Sequence, residues 1–474
     1  MKAPYSLLLA AGLALPATAF AQNELSNFTA TGRGGVINTF AQDYQAIGIN
    51  PANLGRVGQA KVSFTVLETG VGVASQSLSK TLFKHLLFDT DQTIPAAERA
   101  DLVKSLTSTN TLNANADVTT FALAVSLPSG LGSLAVSNRH RMGVHLGLNQ
   151  NAADIIVNGQ NAAVIRQYYP ASGNPDPTTI NPNAPLLSAA LDGTNIQMAW
   201  TSEYNISYGV QVLDMTGFKL SAGAGYRYIQ GLGIADVRIE GGSLYAYNAL
   251  SPLFKVNYGT IGSGANFNLE TGSGLQSVGH GNGFDLGLAA EVGKSVRLGV
   301  SVVDMGSMTW TGNVLTATDQ KLKYTNATGL DSYNVIKGII NEFDTDSKSL
   351  FTYSPAQERS ASLPAKMRLG GGFRLSELFE AGLDVTVPLN KVAGNLTSTF
   401  VGVGVDYKPV HWLRLSSGVT GGSGYGTSLP LGVTLVSKVW EAGISSRDVT
   451  GYFGEKSPYY SLALGFLRFK IGGE

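Results

Sequence analysis

The sequence predicts an all-β protein, a transmembrane antiparallel up-and-down β-barrel of about 14 strands. Three observations predict it: an export signal with no later apolar helix, strands that alternate in polarity, and connections that are alternately short and long. The composition agrees, since 14% of the 474 residues are charged and 58 are Gly, against about 25% and ~7% in ordinary soluble proteins. The chain has 33 basic and 33 acidic residues and no Cys. This argues against nucleic acid as a partner and excludes disulfides and thiolate metal sites.

The first element is a secretory signal peptide over residues 1–21. Met1 and Lys2 precede an apolar stretch from Tyr5 to Leu15, and Ala19-Phe20-Ala21 supplies the small-residue cleavage pattern. We therefore expect cleavage after Ala21. The apolar run is shorter than the ~20 residues of a spanning helix. No later apolar segment reaches ~18 residues, which leaves an exported soluble protein or a β-barrel.

The strands follow from period-two alternation of apolar and polar residues. Residues 204–212 carry Tyr, Ile, Tyr, Val and Val on one face and Asn, Ser, Gly and Gln on the other. The same alternation predicts 14 strands at 61–74, 114–128, 132–149, 194–213, 217–230, 281–293, 296–311, 363–375, 379–389, 397–408, 413–422, 428–438, 440–449 and 458–470.

The connections favour a membrane barrel over a soluble β-sandwich. Every connection after an even-numbered strand is brief, as at 129–131, 214–216 and 294–295. Connections after odd-numbered strands are longer, including 75–113, 150–193, 231–280 and 312–362. Transmembrane barrels have this pattern of tight periplasmic turns and long external loops. The four Trp, at positions 200, 310, 412 and 440, are expected in the aromatic girdles at the two rims.

The polar faces of these strands are expected to line the lumen. Most of the charges they carry are interpreted as structural ion pairs, and a minority as lining a solute path. The predicted lumen-facing charged residues are Lys219, Arg227, Asp285, Glu291, Arg297, Lys366, Arg368, Arg374, Glu380, Asp384, Asp406, Arg414 and Glu441.

Two long loops contain helical patterns. Residues 93–106 have a Pro near the start of a helical stretch, and residues 330–343 place apolar side chains at helical spacing. Either segment could cap the barrel mouth or contribute a binding surface, although self-packing of a long loop explains both.

The residues that could support catalysis do not form a site in the sequence. Gly293-Lys294-Ser295 lacks the spacing and the following helix of a phosphate loop, and His140 and His145 point to opposite faces of a strand. Asp89, Asp91, Asp344 and Asp346 lack a complete set of calcium ligands. We therefore predict that the protein is not an enzyme, with no catalytic residue, no cofactor and no metal site.

Residues 43–54 carry a resemblance to a known group of proteins. Asp43 to Asn50, followed by Pro51 and Ala52, resembles the Asn-Pro-Ala segment before the barrel in the long-chain fatty-acid transporter superfamily of outer-membrane proteins. In that superfamily the segment forms a hatch inside a 14-stranded barrel that hydrophobic solutes cross. The resemblance implies a hatch over residues 22–60 and a barrel over 61–474. The structural core of the hatch would be Asp43, Asn50, Pro51 and Ala52, in a structural or a gating role.

Further motifs resemble an uncharacterised family of outer-membrane barrels common in Bacteroidota. They are Val302-Val-Asp304-Met-Gly306, Leu363-Pro364 with 370–373, and Ala381 to Leu389. The chain departs from the usual barrel at its end, where Phe469 is followed by five residues rather than forming an aromatic terminus.

These features lead to two hypotheses on function, both for a protein in the outer membrane of a Gram-negative bacterium. The first is passive uptake of small hydrophobic or lipid-like solutes past the hatch. The second is a non-transporting barrel that serves as a platform for protein secretion or surface attachment, with its long loops docking a partner. The expected partners are membrane lipid, a hydrophobic small-molecule ligand in the first case, and a secretion or surface protein in the second. A soluble exported β-protein is a third alternative.

Overall fold

The computed structural model describes residues 27–472 apart from 174, 177, 336–348, 393, 397 and 423–425. The predicted signal peptide, the cleavage after Ala21, most of the helical pattern at 330–343, and Asp344 and Asp346 lie outside these residues.

Within the described residues, eighteen strands form one sheet. In chain order they are β1 Val62–Ala74, β2 Ser108–Ser126, β3 Ser133–Leu148, β4 Asn195–Met215, β5 Phe218–Glu240, β6 Ser243–Leu250, β7 Gly279–Val292, β8 Val296–Trp310, β9 Val314–Ala317, β10 Tyr353–Pro355, β11 Arg359–Ser362, β12 Lys366–Arg374, β13 Phe379–Pro388, β14 Phe400–Val410, β15 Leu413–Gly422, β16 Leu431–Val436, β17 Trp440–Ser446 and β18 Tyr459–Ile471.

Fourteen of these strands close an antiparallel barrel, in which β1 pairs with both β2 and β18. The circuit omits β6, β9, β10 and β11, because β5 pairs with β7 and β8 pairs with β12. The four omitted strands extend the wall at the long-loop end, where β9 joins β6 to β10 and β11 pairs with the end of β8. The predicted 14-stranded antiparallel barrel is confirmed, and each predicted strand coincides with one barrel strand.

The largest difference in strand length lies in β5. The alternation predicts that β5 ends at 230. The strand instead continues to Glu240, after which the chain reverses and pairs with it as β6. Residues 231–237 are buried on both faces of the sheet. Apolar residues therefore occupy both faces, and the alternation that marks a half-exposed strand is lost.

The six short connections all lie at one end of the barrel, which we call the turn side. Gly217 and Gly293 adopt φ values of 79° and 60° there, a conformation that suits a tight hairpin turn. The barrel segment of the chain also begins and ends at this side, where β1 starts and β18 finishes.

The opposite end carries the long connections and most of the helices. The helices are α1 Phe28–Gly32, α2 Lys80–Phe88, α3 Arg99–Leu106, α4 Gln150–Asn158, α5 Ala163–Tyr168 and α6 Leu187–Ala190. The predicted helix at 93–106 is present as a 3-10 turn, Ala96–Glu98, followed by α3. Buried side chains from α2 to α6 share one apolar core with the ends of the neighbouring strands. Among the residues described, no helix has the length and hydropathy needed to cross a membrane.

The outer wall of the barrel is apolar. On β7, Phe284, Leu286 and Leu288 are exposed, whereas Asp285 between them is buried. Further exposed apolar side chains lie along β4, β8, β12, β13 and β14. Apolar residues outside and charged residues inside are typical of a transmembrane barrel.

The prediction for the four Trp is wrong at one position. Trp412 and Trp440 lie at turn-side connections, with Trp412 half exposed. Trp310 is only 2% exposed and packs inside the wall with Ile229, Met308 and Tyr247. A β-bulge in β8 before Trp310 reverses the faces of the residues that follow, and this turns Trp310 inward.

Candidate functional site

The N-terminal segment, residues 27–56, lies inside the barrel and contacts all 14 barrel strands. Nearly all of its residues are buried. The inner wall is rich in Gly where the segment approaches it. A Cβ at Gly223 would collide with the Pro51 backbone, and one at Gly287 would collide with Asn50. Glycine therefore allows the wall to approach the backbone of the segment at Gly223 and the Asn50 side chain at Gly287.

The Asn50-Pro51-Ala52 motif forms a capped 3-10 turn, Pro51–Gly55. Asn50 Oδ1 accepts a hydrogen bond from the Ala52 amide at 3.1 Å, and Pro51 occupies the position where a missing N–H has no cost. The Asn50 side-chain amide donates to Asn38 Oδ1 at 3.0 Å and to the Leu288 carbonyl of β7 at 3.1 Å. The motif thus ties the segment both to itself and to the wall.

Asp43 is buried and has a left-handed backbone, with φ of 51°. Its carboxylate is 3.9 Å from Lys470 Nζ of β18. Burial raises the pKa of the Asp43 carboxyl above its usual range, although Lys470 and Arg468 oppose this shift. The next residue, Tyr44, donates a 2.6 Å hydrogen bond to Glu68 of β1.

Two acidic residues of the wall hold the first half of the segment. The amides of Ile37 and Asn38 both donate to Asp384 Oδ2, at 2.6 and 2.7 Å. Arg33 makes a 2.7 Å ion pair with Asp406. Such charge-assisted hydrogen bonds are stronger than neutral ones, so these contacts position the segment along β13 and β14.

A buried network of six charged residues lies beside the segment, and we call it the central network. It contains three cations and three carboxylates, which are Arg141, Arg227, Lys366, Glu203, Asp285 and Asp304.

Some bonds of the central network join neighbouring strands, and others cross the interior to Asp304 of β8 from Arg141 of β3 and Arg227 of β5. Arg141 bonds to Glu203 at 2.6 Å and to Asp304 at 2.9 Å. Arg227 makes a two-pronged contact with Asp285, at 2.6 and 2.8 Å, and also binds Asp304. Because the charges balance and are bonded to one another, burial of the network is compatible with a stable barrel wall.

An apolar cavity of about 180 Å³ lies on the long-loop side of the central network. Its walls include Ile229, Ile234, Tyr245, Tyr247, Met308 and Trp310. Arg141, Glu203 and Asp304 form its polar floor, and the paired residues Asp236 and Arg238 also line it. An apolar enclosure with a few convergent polar groups is typical of a small-molecule site.

A second cavity, of about 240 Å³, lies on the turn side of the N-terminal segment, and we call it the vestibule. In contrast to the first cavity, charged side chains dominate its walls. Seven of the lining residues are basic and two are acidic, namely Arg33, Arg297, Arg374, Lys408, Arg414, Arg468 and Lys470, with Glu380 and Asp406.

Comparison with known proteins assigns the chain to a family. The model of a family of unknown function, DUF5723, matches residues 57–439. The chain belongs to this family. No curated protein matches it.

Three solved structures similar to this DUF5723 chain share its fold at low sequence identity. The toluene transporter TodX of P. putida has 10% identity and a TM-score of 0.39, covering 95% of this chain and 99% of its own. The monoaromatic hydrocarbon channel CymD has 11% identity and a TM-score of 0.45, covering 96% and 100%. A FadL homologue of Pseudomonas aeruginosa has 11% identity and a TM-score of 0.42, covering 96% and 97%.

The 13 predicted lumen-facing residues of this DUF5723 barrel fall into two groups. The partly or largely exposed ones lie near the turn-side rim and are Lys219, Glu291, Arg297, Arg374, Glu380 and Arg414. The buried ones are Arg227, Asp285, Lys366, Arg368, Asp384, Asp406 and Glu441. Three of the buried residues join the central network, and Asp406 and Glu441 join the charges around the vestibule.

Three members of the central network were not among the predicted residues. Arg141 and Glu203 lie on the polar faces of β3 and β4, where the alternation that identified the strands also marks them. Asp304 has no such signal, because it lies at the bulge in β8 with φ of 61°. Among the described residues of this DUF5723 chain, no group of three acidic or His side chains is arranged to hold a metal ion.

Proposed function

We propose that this DUF5723 barrel admits small, neutral, hydrophobic molecules across the outer membrane, with the N-terminal segment as the hatch that they pass. The observation that carries the proposal is the apolar cavity with aromatic walls, which lies inside the barrel on the long-loop side of the segment. A cavity of 150 Å³ lined by apolar side chains is large enough to bind benzene, so about 180 Å³ suits a solute of one ring.

The floor of the cavity favours a neutral solute. Arg141 is already bonded to Glu203 and Asp304, and Arg238 is paired with Asp236. The central network contains equal numbers of cations and carboxylates. A carboxylate-bearing solute would have to break one of these pairs, which is costly inside a barrel. A neutral ring leaves the pairs intact and gains from burial of its apolar surface.

The N-terminal segment separates the cavity from the vestibule. Passage therefore requires the segment, the central network or both to move, as in the gating role that the sequence resemblance implies. The packed helical layer at the long-loop end offers a surface for the alternative role as a platform. A barrel that serves only as a platform has no need of an apolar interior cavity.

Filling the cavity tests the proposal. Ile229 is buried in its wall, and Tyr228 beside it faces outward on β5. We expect Ile229→Trp to reduce the initial uptake of radiolabelled ethylbenzene at least tenfold in Gram-negative cells that produce the chain, because the larger ring occupies the solute site. Tyr228→Trp is the matched control and should leave uptake unchanged.

Two further measurements make the result decisive. Ile229→Ala, which enlarges the cavity, should allow uptake of a bulkier neutral probe such as naphthalene. Benzoate should not be taken up by any of these variants. The cavity would be excluded as the route if the Ile229→Trp variant and the unmodified chain, both folded in the membrane, took up ethylbenzene equally fast.

A further inference from the structure

The vestibule contains more positive charge than its own carboxylates neutralise. Five carboxylates lie within 4 Å of its seven cations in the described chain, namely Asp43, Glu291, Glu380, Asp406 and Glu441. Three of the five serve several cations at once, and Glu380 is shared by Arg374 and Lys408. Glu441 is shared by Arg414, Arg468 and Lys470, and Asp406 by Arg33 and Arg414. Within this distance the cations exceed the carboxylates by two, and a further carboxylate near Arg468, Glu68, is bonded to Tyr44.

Most of these ion pairs are loose. Arg374 and Lys408 approach Glu380 only to 3.6 and 3.7 Å. Arg414 is 3.9 Å from Asp406 and 3.7 Å from Glu441. Direct N–H···O hydrogen bonds are about 2.7–3.2 Å long, so these guanidinium and ammonium groups are held near their carboxylates without being saturated by them.

Arg468 supplies an independent observation. Its side chain is 2% exposed and lines the vestibule. Its Nη1 group has no hydrogen-bond partner among the described residues, and its Nε makes only a 3.4 Å ion pair with Glu441. Arg414 Nε likewise makes no hydrogen bond there and approaches Asp406 only to 3.9 Å. The guanidinium of Arg468 lies over the rings of Phe28 and Tyr44, at 5.7 and 5.6 Å from their centres. These rings fix its orientation but accept no N–H hydrogen bond in the plane of the guanidinium.

We propose that the vestibule is a binding site for a soluble dianionic oxyanion, a phosphate monoester or a small dicarboxylate, held between Arg414 and Arg468. Guanidinium forks match the oxygen geometry of phosphate and carboxylate, and two negative charges equal the excess on the wall. The vestibule lies within the barrel, so the anion comes from water rather than from the lipid around the barrel. The exposed side chain of Arg374 marks the side from which it enters.

This site is independent of the proposed uptake function. It lies on the other side of the N-terminal segment from the apolar cavity and uses residues outside the central network. Loss of ethylbenzene uptake would not affect it, and failure of anion binding would leave the uptake proposal unchanged.

The test uses inorganic phosphate and the full chain in nanodiscs of zwitterionic lipid. Isothermal titration calorimetry should detect saturable binding of phosphate with one site per chain, at constant ionic strength, and no saturable binding of chloride. Arg414→Gln should weaken phosphate binding at least tenfold. Lys84→Gln removes the same charge from exposed α2 at the opposite end of the barrel and should leave binding unchanged.

A second variant protects the test against a folding defect. Lys408→Gln alters a partly exposed side chain of the vestibule, 3.7 Å from Glu380, and should weaken phosphate binding severalfold in a folded barrel. The proposal is overturned if phosphate gives no more saturable heat than chloride. Equal weakening by Lys408→Gln and Lys84→Gln would also overturn it, because the effect would then reflect net charge alone.

Discussion

Asp304 occupies a strained position, with a left-handed φ of 61° in the middle of β8. Its backbone amide donates a hydrogen bond to Asp285 Oδ1 at 2.9 Å. Its carboxylate forms ion pairs with Arg141 and Arg227 and lies 3.9 Å from Lys366 Nζ. In an undistorted strand it would follow inward-facing Val303 and point toward lipid. The bulge therefore places a carboxylate where three buried cations need one, and the strain is offset by those ion pairs.

Replacing Asp304 with Asn should destabilise the barrel strongly. The substitution keeps the shape of the side chain but leaves three buried cations with two carboxylates. Removal of one partner of a buried ion pair costs about 3–5 kcal/mol, and we expect a loss of that order in the free energy of unfolding, measured by urea titration in lipid vesicles. Asp214→Asn is the control, because Asp214 is exposed and 3.6 Å from Lys219. Its effect should stay below about 1 kcal/mol. Equal losses for the two variants would show that the central network adds no stability.

The N-terminal segment packs closely against the glycine-rich inner wall of the barrel. Gly223 of β5 and Gly287 of β7 lie against Pro51 and Asn50, where a methyl group has no room. Because the barrel wall is a continuous hydrogen-bonded sheet, the segment is the part that can move when space is lost.

We therefore expect the double variant Gly223→Ala/Gly287→Ala to loosen the segment while the barrel stays folded. Hydrogen exchange of amides in residues 27–56 should become at least tenfold faster, and exchange in the barrel strands should not change. Gly371→Ala is the control, since a Cβ there would meet only Phe373 at 3.8 Å. Unchanged protection of residues 27–56 in the double variant would mean that the wall yields instead.

The elements of the barrel could be predicted from the sequence because lipid and lumen impose opposite polarity on alternate residues. β15 was predicted with its observed bounds, Leu413–Gly422. The alternation no longer predicts a strand where its two faces do not meet lipid on one side and lumen on the other. Beyond residue 231, β5 no longer pairs with β7 and is covered on both faces, and at Asp304 a bulge interrupts the alternation. Contacts distant in sequence, such as Arg33 with Asp406, leave no local pattern at all.

The same principle limited prediction of the candidate site. Arg227 and Asp285 could be assigned to the lumen from the polar faces of their strands. Their pairing with each other and with Asp304 depends on the register between β5, β7 and β8. The apolar cavity could not be predicted, because its walls combine Trp310, turned inward by the bulge, with Tyr247 of β6, a strand hidden within a predicted loop.

The whole molecule combines three layers with different surroundings. The outer wall is apolar, the interior is charged and filled by the N-terminal segment, and the long loops form a packed core of their own. This order is the reverse of a soluble protein, in which the charges are outside. It is stable only if the apolar belt of the barrel faces lipid.

Embedding of the belt in a bilayer can be measured by placing a charge on it. Leu286 is 55% exposed near the middle of β7. A Lys at the membrane midplane of a barrel costs about 2–4 kcal/mol, and near the interface about 0–1 kcal/mol. We expect Leu286→Lys to destabilise the barrel, reducing its free energy of unfolding in phospholipid vesicles by the larger amount. Leu375→Lys, in the connection between β12 and β13, should reduce it by the smaller amount, because the ammonium reaches water there. The two costs depend on depth in lipid alone, since both leucines point away from the barrel. Equal costs at the two positions would therefore place Leu286 in water and contradict a membrane-spanning barrel.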